Sequence, residues 1–136
     1  MQPRKGLCVD AGVSGKGPEM YLIVTDLSNG KIIHSETIQG EYDSTRAELI
    51  AIKRALNFAY YDCDVWNDNL SAVNAINHNY NTNLEPLAKE VRKVAYERNI
   101  HIRYWNKKVF GEIPSDCKFK FKRERRHSWK LKKQLT

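Results

Sequence analysis

No stretch of the chain approaches the roughly 20 consecutive apolar residues that a membrane-crossing helix requires. The opening MQPRKG runs straight into a short apolar segment, without the long apolar core and small-residue cleavage site of a secretory leader. Those two absences lead to the expectation of an intracellular, cytoplasmic protein with no membrane partner. Cysteine is scarce: Cys8, Cys63 and Cys117 are odd in number and far apart, forming neither a CxxC pair nor a zinc-ligand cluster. A disulfide scaffold and a structural zinc site are therefore disfavoured, and Cys8, inside an apolar run, reads as a small hydrophobe rather than a nucleophile. The glycine-rich run from Gly12 to Gly17 is not followed by Lys-Ser/Thr or by a helix-like segment, which argues against a Walker-type phosphate loop. No internal repeat is visible.

What is present is enough for one domain. A chain of 136 residues with 41% hydrophobic content builds a single modest core and leaves no room for a second domain of ordinary size. The net charge of +7 is unevenly spread. From Lys118 to Thr136 nine Lys and Arg stand against the single acid Glu124, so this segment holds +8 and the preceding 117 residues sum to −1. A near-neutral body with a concentrated cationic end points to a polyanionic partner, nucleic acid before an acidic membrane surface. A solvated tail is the plainer alternative. We accordingly divide the chain into a body, 1–117, and a basic C-terminal helix or tail, 118–136, within the same domain.

Hydrophobic patterning orders the elements. Lys5 to Asp10, Tyr21 to Leu27 and Lys31 to Ile38 read as strands, and Ser28-Asn29-Gly30 supplies a tight turn between the second and third. Thr45 to about Tyr60 reads as a helix, Asp64 to Asp68 as a short strand, Asn69 to about Asn77 as a short helix. An Asn-rich connector, His78 to Asn83, leads to a helix over Glu85 to Arg98, where Leu87, Val91, Val94 and Ala95 recur at helical spacing. His101 to Asn106 reads as a last strand and Lys107 to Pro114 as a loop. The order implies an α/β domain with an antiparallel meander joined to strands that enter through helices and so run parallel.

Three carboxylates lie where chemistry competes with structure. Asp10 and Asp68 end strands, and Glu48 heads an apolar helical stripe through Ala51, Ile52 and Ala55. Each has a structural alternative. Glu48 fits a capping box with Thr45, and Asp68 fits a cap for the helix that follows it. If the two strands are neighbours, however, the three acids converge near the strand ends, where functional groups gather in parallel sheets. Clustered carboxylates suit hard, oxygen-seeking divalent ions such as Mg²⁺.

Read as blocks, these residues resemble ribonuclease H type 1. The run STRAELIAIKRAL from Ser44 to Leu56 is similar to that family's R-x-E-L-x-A…A-L helix. VWNDNLSAVNAI from Val65 to Ile76 is similar to its TDS…VINAI strand-to-helix segment, and Val9-Asp10-Ala11-Gly12 to its first metal-binding strand. The match in order and spacing runs to Asp116. The resemblance implies a ribonuclease H-like fold, a five-stranded mixed sheet of antiparallel meander plus parallel strands flanked by helices. It also implies a monomeric endonuclease cutting the RNA strand of RNA–DNA hybrids by two-metal-ion hydrolysis, leaving 5′-phosphate and 3′-hydroxyl ends.

Carried over by position, Asp10, Glu48, Asp68 and Asp116 become catalytic metal ligands for two Mg²⁺ ions, with Mn²⁺ as substitute. Glu112 competes with Asp116 for the fourth place. Gly12, Ser44, Thr45, Arg46 and Asn69 become contacts to the hybrid. The sequence departs from the family pattern in several places. The segment from Lys107 to Asp116 has no histidine, Ser44 and Thr45 replace two asparagines, and Leu70 replaces a more polar residue. The short connector leaves no space for a basic handle. Phe119, Phe121 and Trp129, interleaved with Lys and Arg, offer a substitute grip by stacking and phosphate contact, or else fill the core. Two other readings stay open: a non-catalytic nucleic-acid-binding module of the same fold, and a resolvase- or transposase-type nuclease acting on DNA.

Overall fold

A computed structural model describes residues 2–13, 18–40, 42–78 and 82–116. Five strands form one mixed sheet: β1 (Leu7–Val13), β2 (Glu19–Asp26), β3 (Lys31–Gln39), β4 (Asp64–Asn67) and β5 (His101–Tyr104). Their spatial order is β3-β2-β1-β4-β5. β1 to β3 make the expected antiparallel meander, whereas β4 pairs in parallel with β1 and with β5. The sequence switches hand between β3 and β4 because a helix intervenes. A parallel neighbour needs a crossover, and α1 (Ser44–Ala55) supplies it. Helices α2 (Leu70–His78) and α3 (Glu85–Arg98) provide the next one.

The central strand carries the imprint of its position. Leu7 to Asp10 are buried without alternation, as expected where both faces of a strand are covered. Leu7 and Val9 pack with Met20, Leu22 and Val24 of β2 against Leu49, Ile52, Val73, Ala88 and Val91 of the three helices. Cys8 points the other way, into a second cluster with Trp105 and Ile113, flanked by Trp66 and Phe110. There Trp66 meets Trp105 and Phe110 edge-on. Among the described residues no helix is long and apolar enough to cross a membrane.

Local chemistry moved several boundaries. Asp43, not Ser44 or Thr45, caps α1 by accepting from the Arg46 amide at 2.8 Å. The helix stops at Ala55 rather than near Tyr60. The amides of Asn57 and Phe58 bond three residues back, to Arg54 and Ala55, and the Arg98 guanidinium takes the Leu56 carbonyl at 2.9 Å. Phe58 is then free to stack on His34 of β3. Asn69 lies before α2 and bonds the Ala72 amide, so it caps that helix in place of Asp68. β1 starts two residues later than the expected Lys5 and continues past Asp10 to Val13. After β5, the segment expected as a loop opens with a single helical turn, α4 (Lys107–Phe110), capped by Asn106. The basic segment 118–136 lies outside the described residues, as does Cys117.

Candidate metal and nucleic-acid site

Two strand ends and one helix face converge. β1 and β4 lie side by side in parallel, paired through Leu7 with Val65 and Cys8 with Trp66, so Asp10, in the middle of β1, and Asp68, just past the end of β4, follow the paired residues on the two strands. Helix α1 crosses this edge and turns Glu48 inward, in its second turn and on the buried stripe. One carboxylate oxygen from each of Asp10, Glu48 and Asp68 lies within 4.8 Å of the others. Asp10 and Glu48 are buried, and the side chain of Asp68 is 8% exposed.

Glu48 does not close a capping box. Its Oε1 accepts from the Ala11 amide at 2.5 Å, a bond from helix to central strand across 37 residues of sequence. The capping alternative is excluded, since its carboxylate is spent on β1 and Asp43 has taken the cap. Burial pushes the Glu48 carboxyl well above its ordinary range, and the charges of Asp10 and Asp68 push it further; the Ala11 bond opposes both. Three acids held this close in a covered site are mutually destabilising unless positive charge joins them. The donors are all carboxylate oxygens, with no thiol or imidazole among the three, so the set fits a hard divalent ion of the Mg²⁺ or Mn²⁺ type.

Two residues that sequence reading passed over shape this site. Asn67 is fully buried at the end of β4. Its Nδ2 donates to the Val9 carbonyl at 2.9 Å and its Oδ1 accepts from the Asn69 amide at 2.9 Å. Asn67 thus clamps β4 to β1 one residue before each strand-end acid. Lys107 lies with Nζ 3.3 Å from Asp68 Oδ2 and 3.9 Å from Glu112 Oε2. The charge of Asp68 raises its ammonium pKa. The signal for Asn67 was its place beside Asp68; for Lys107 there was none short of the fold.

The remaining expected residues are distributed around the cluster. Gly12 lies in β1 opposite Tyr21, two residues beyond Asp10. Ser44, Thr45 and Arg46 open α1, where Arg46 reaches the Asn83 carbonyl at 3.4 Å, and Asn69 opens α2. Neither candidate for the fourth acid belongs to the group gathered within 4.8 Å. Glu112 is exposed and faces Lys107. Asp116 is half-buried, its amide bonded to the Ile113 carbonyl, and it follows Ser115, whose buried Oγ lies 2.7 Å from Thr25 Oγ1 and 3.0 Å from the Cys8 carbonyl. The chain leading to Asp116 is therefore pinned to β1 and β2 on the face opposite the helices.

A mixed five-stranded sheet in this order, flanked by helices and carrying acids just beyond the paired residues of its central parallel strands, defines the ribonuclease H-like fold. Solved structures agree. LC11-RNase H1, isolated from compost and solved in complex with an RNA/DNA hybrid, superposes with a TM-score of 0.57 at 19% identity, covering 76% of this chain and 86% of that one. RNase H1 from the halophilic archaeon Halobacterium salinarum gives 0.51 at 17% identity over 76% and 86% of the two chains. The N-terminal RNase H domain of a Mycobacterium tuberculosis protein gives 0.52 at 12% over 73% and 86%. At these identities the likeness is one of fold. No protein-family model and no curated protein matches the sequence.

Proposed function

We propose that the chain is a ribonuclease H of type 1, a divalent-metal-dependent endonuclease that cuts the RNA strand of RNA–DNA hybrids. The observation that carries this reading is the convergence of Asp10, Glu48 and Asp68 within 4.8 Å on a fold whose solved neighbours include an RNase H1 bound to an RNA/DNA hybrid.

Asp10, Glu48 and Asp68 hold the metal, and Asp116 completes the set from the pinned segment after α4, with Glu112 as the other candidate. When bound, a pair of Mg²⁺ ions supplies an acidified water as nucleophile and charge neutralisation for the leaving 3′-oxygen. The chain's own part is preorganisation. The Ala11 amide fixes one Glu48 oxygen, and the Asn67 clamp sets the spacing of the two strand ends. Both constraints reside on β1 and β4, so Asp10, Glu48 and Asp68 are held close together before any cation arrives.

Substrate is held from the same edge. Gly12 has no side chain to keep a backbone away, the hydroxyls of Ser44 and Thr45 stand at the start of α1, and Arg46 and Asn69 flank them. These groups suit phosphate and ribose better than base edges, so selection rests on the wide minor groove and 2′-hydroxyls of the RNA strand. Residues 1–117 form the catalytic unit and the basic 118–136 segment its grip, in a monomeric cytoplasmic enzyme.

The test is cleavage of matched labelled duplexes, RNA–DNA, double-stranded RNA and double-stranded DNA, by the protein and its Asp10→Asn variant with Mg²⁺ or Mn²⁺. Cutting confined to the RNA of the hybrid and lost in the variant is expected. Binding of the hybrid without cutting would make the chain a binding module, and cutting of DNA would place it with the resolvases.

A further inference from the structure

Lys107 is placed at the acid cluster by the fold rather than by its neighbours in sequence. Beyond β5 the parallel pairing continues for one more bond, from the Trp105 amide to the Asn67 carbonyl at 2.8 Å. That bond follows the pairing of Tyr104 with Asn67, so the chain three residues past Tyr104 arrives beside Asp68. Asn106 then caps a single helical turn, accepting from the Lys108 amide at 3.0 Å, and Lys107 is its first residue. Trp105, fully buried and bonded through Nε1 to the Gly111 carbonyl, anchors the turn from below. The Lys107 backbone is therefore well held, while its side chain, 47% exposed, retains freedom to move.

We infer that Lys107 is an internal counter-cation of the acid cluster, which pairs with Asp68 in the metal-free protein and competes with the divalent ion for that carboxylate. The inference rests on the reading of Asp10, Glu48 and Asp68 as a metal site. Its ground is the contact itself. The Asp68 side chain is almost covered, the Lys107 ammonium lies 3.3 Å from its Oδ2, and the exposed Glu112, 3.9 Å from the ammonium, offers an alternative partner. An ammonium cannot share a carboxylate oxygen with a divalent ion at close range without strong repulsion. Metal entry must therefore drive Lys107 off Asp68, toward Glu112 and solvent. The lysine has two consequences: it offsets part of the acid repulsion while the site lacks metal, and it weakens the metal's grip.

The experiment is Mn²⁺ titration by calorimetry, without nucleic acid, on the full chain and its Lys107→Gln, Lys107→Arg and Asp10→Asn variants, with thermal unfolding of each in chelator. Lys107→Gln is expected to bind Mn²⁺ about three- to tenfold more tightly, the scale of removing one nearby unit charge in a partly solvated site. In chelator it should melt lower by about 1–3 °C, the scale of one partly exposed ion pair. Lys107→Arg keeps the charge and should track the parent in both. Unchanged Mn²⁺ affinity in Lys107→Gln, with the parent binding normally and Asp10→Asn not binding, would overturn the role of Lys107 while leaving the metal site standing. Absence of Mn²⁺ binding by the parent would remove the metal site itself, and the inference with it.

Discussion

Asn67 donates from its side-chain amide to the Val9 carbonyl, 2.9 Å away across the β4–β1 seam, one residue ahead of both Asp68 and Asp10. The regular pairing of these strands runs from Leu7 and Val65 to Cys8 and Trp66. A side chain therefore extends the seam to the point where the acids leave it. The other end of the same amide holds the Asn69 backbone, so the turn carrying Asp68 is fixed from within.

Asn67→Ala is expected to be costly. It leaves the buried Val9 carbonyl and the part-buried Asn69 amide without their partner, a loss of about 2–6 kcal/mol at roughly 1–3 kcal/mol for each group. Urea unfolding in chelator, which isolates fold from metal, measures it. A change below about 0.5 kcal/mol, the range of ordinary surface substitutions, would show that the clamp does not hold the seam.

Glu48→Gln should separate stability from function. The amide oxygen can still accept from Ala11, while the buried charge facing Asp10 and Asp68 is removed. Because folding raises the Glu48 pKa, its contribution in the metal-free protein is fully present below the ordinary glutamate value and is lost as pH rises through the raised one. At neutral pH the variant is expected to be more stable in chelator by about 1–2 kcal/mol, to show a flatter pH dependence above pH 5, and to lose cleavage. Melting curves across pH with and without chelator, beside hybrid cleavage, provide the check.

Cys8 should resist alkylation. Burial pushes its thiol up to about 11, only partly offset by the Ser115 hydroxyl 3.2 Å away. Folding thus favours the protonated thiol, so the stability it contributes is intact below the unfolded thiol value and is lost as pH rises through about 11. Iodoacetamide treatment at pH 8 followed by peptide mass mapping is expected to leave Cys8 unmodified in the native protein and modified after denaturation. Native labelling at the denatured rate would contradict its burial.

The basic end of the chain makes an electrostatic prediction from composition alone. Removing residues 123–136 takes away six Lys and Arg and one Glu. If that segment grips the hybrid, binding weakens and the slope of log affinity against log salt becomes shallower, since each lost phosphate contact removes about 0.7–0.9 of a released counterion. Fluorescence anisotropy of a labelled hybrid over a salt series measures the slope. An unchanged slope would assign the segment to solvation.

The order of elements and the three candidate acids were legible along the chain, because each depends on local pattern, whereas the pairing of β1 with β4 stood only as a condition until the sheet order settled it. Short apolar runs marked β1 and β2, alternation marked β5, the spacing of Leu87, Val91 and Val94 marked α3, and Asp10 and Asp68 stood where apolar runs stopped. Glu48 was legible as inward-facing, but its partner was not. A capping box with Thr45 and a bond to Ala11 satisfy the same local sequence, and only the approach of α1 to β1 decides between them. The same limit applies to boundaries set by distant groups. Arg98 ends α1 by taking the Leu56 carbonyl from 42 residues away. Asp68 and Lys107 lie 39 residues apart in sequence and pair because β4 and β5 are neighbours. Sequence by itself determined the order of the main helices and strands and singled out the three acids, since hydrophobic periodicity and turn chemistry act over a few residues. Tertiary structure alone decided what those acids touch, because hydrogen bonds and charge pairs depend on distance in space, and that distance is set by how the sheet is ordered.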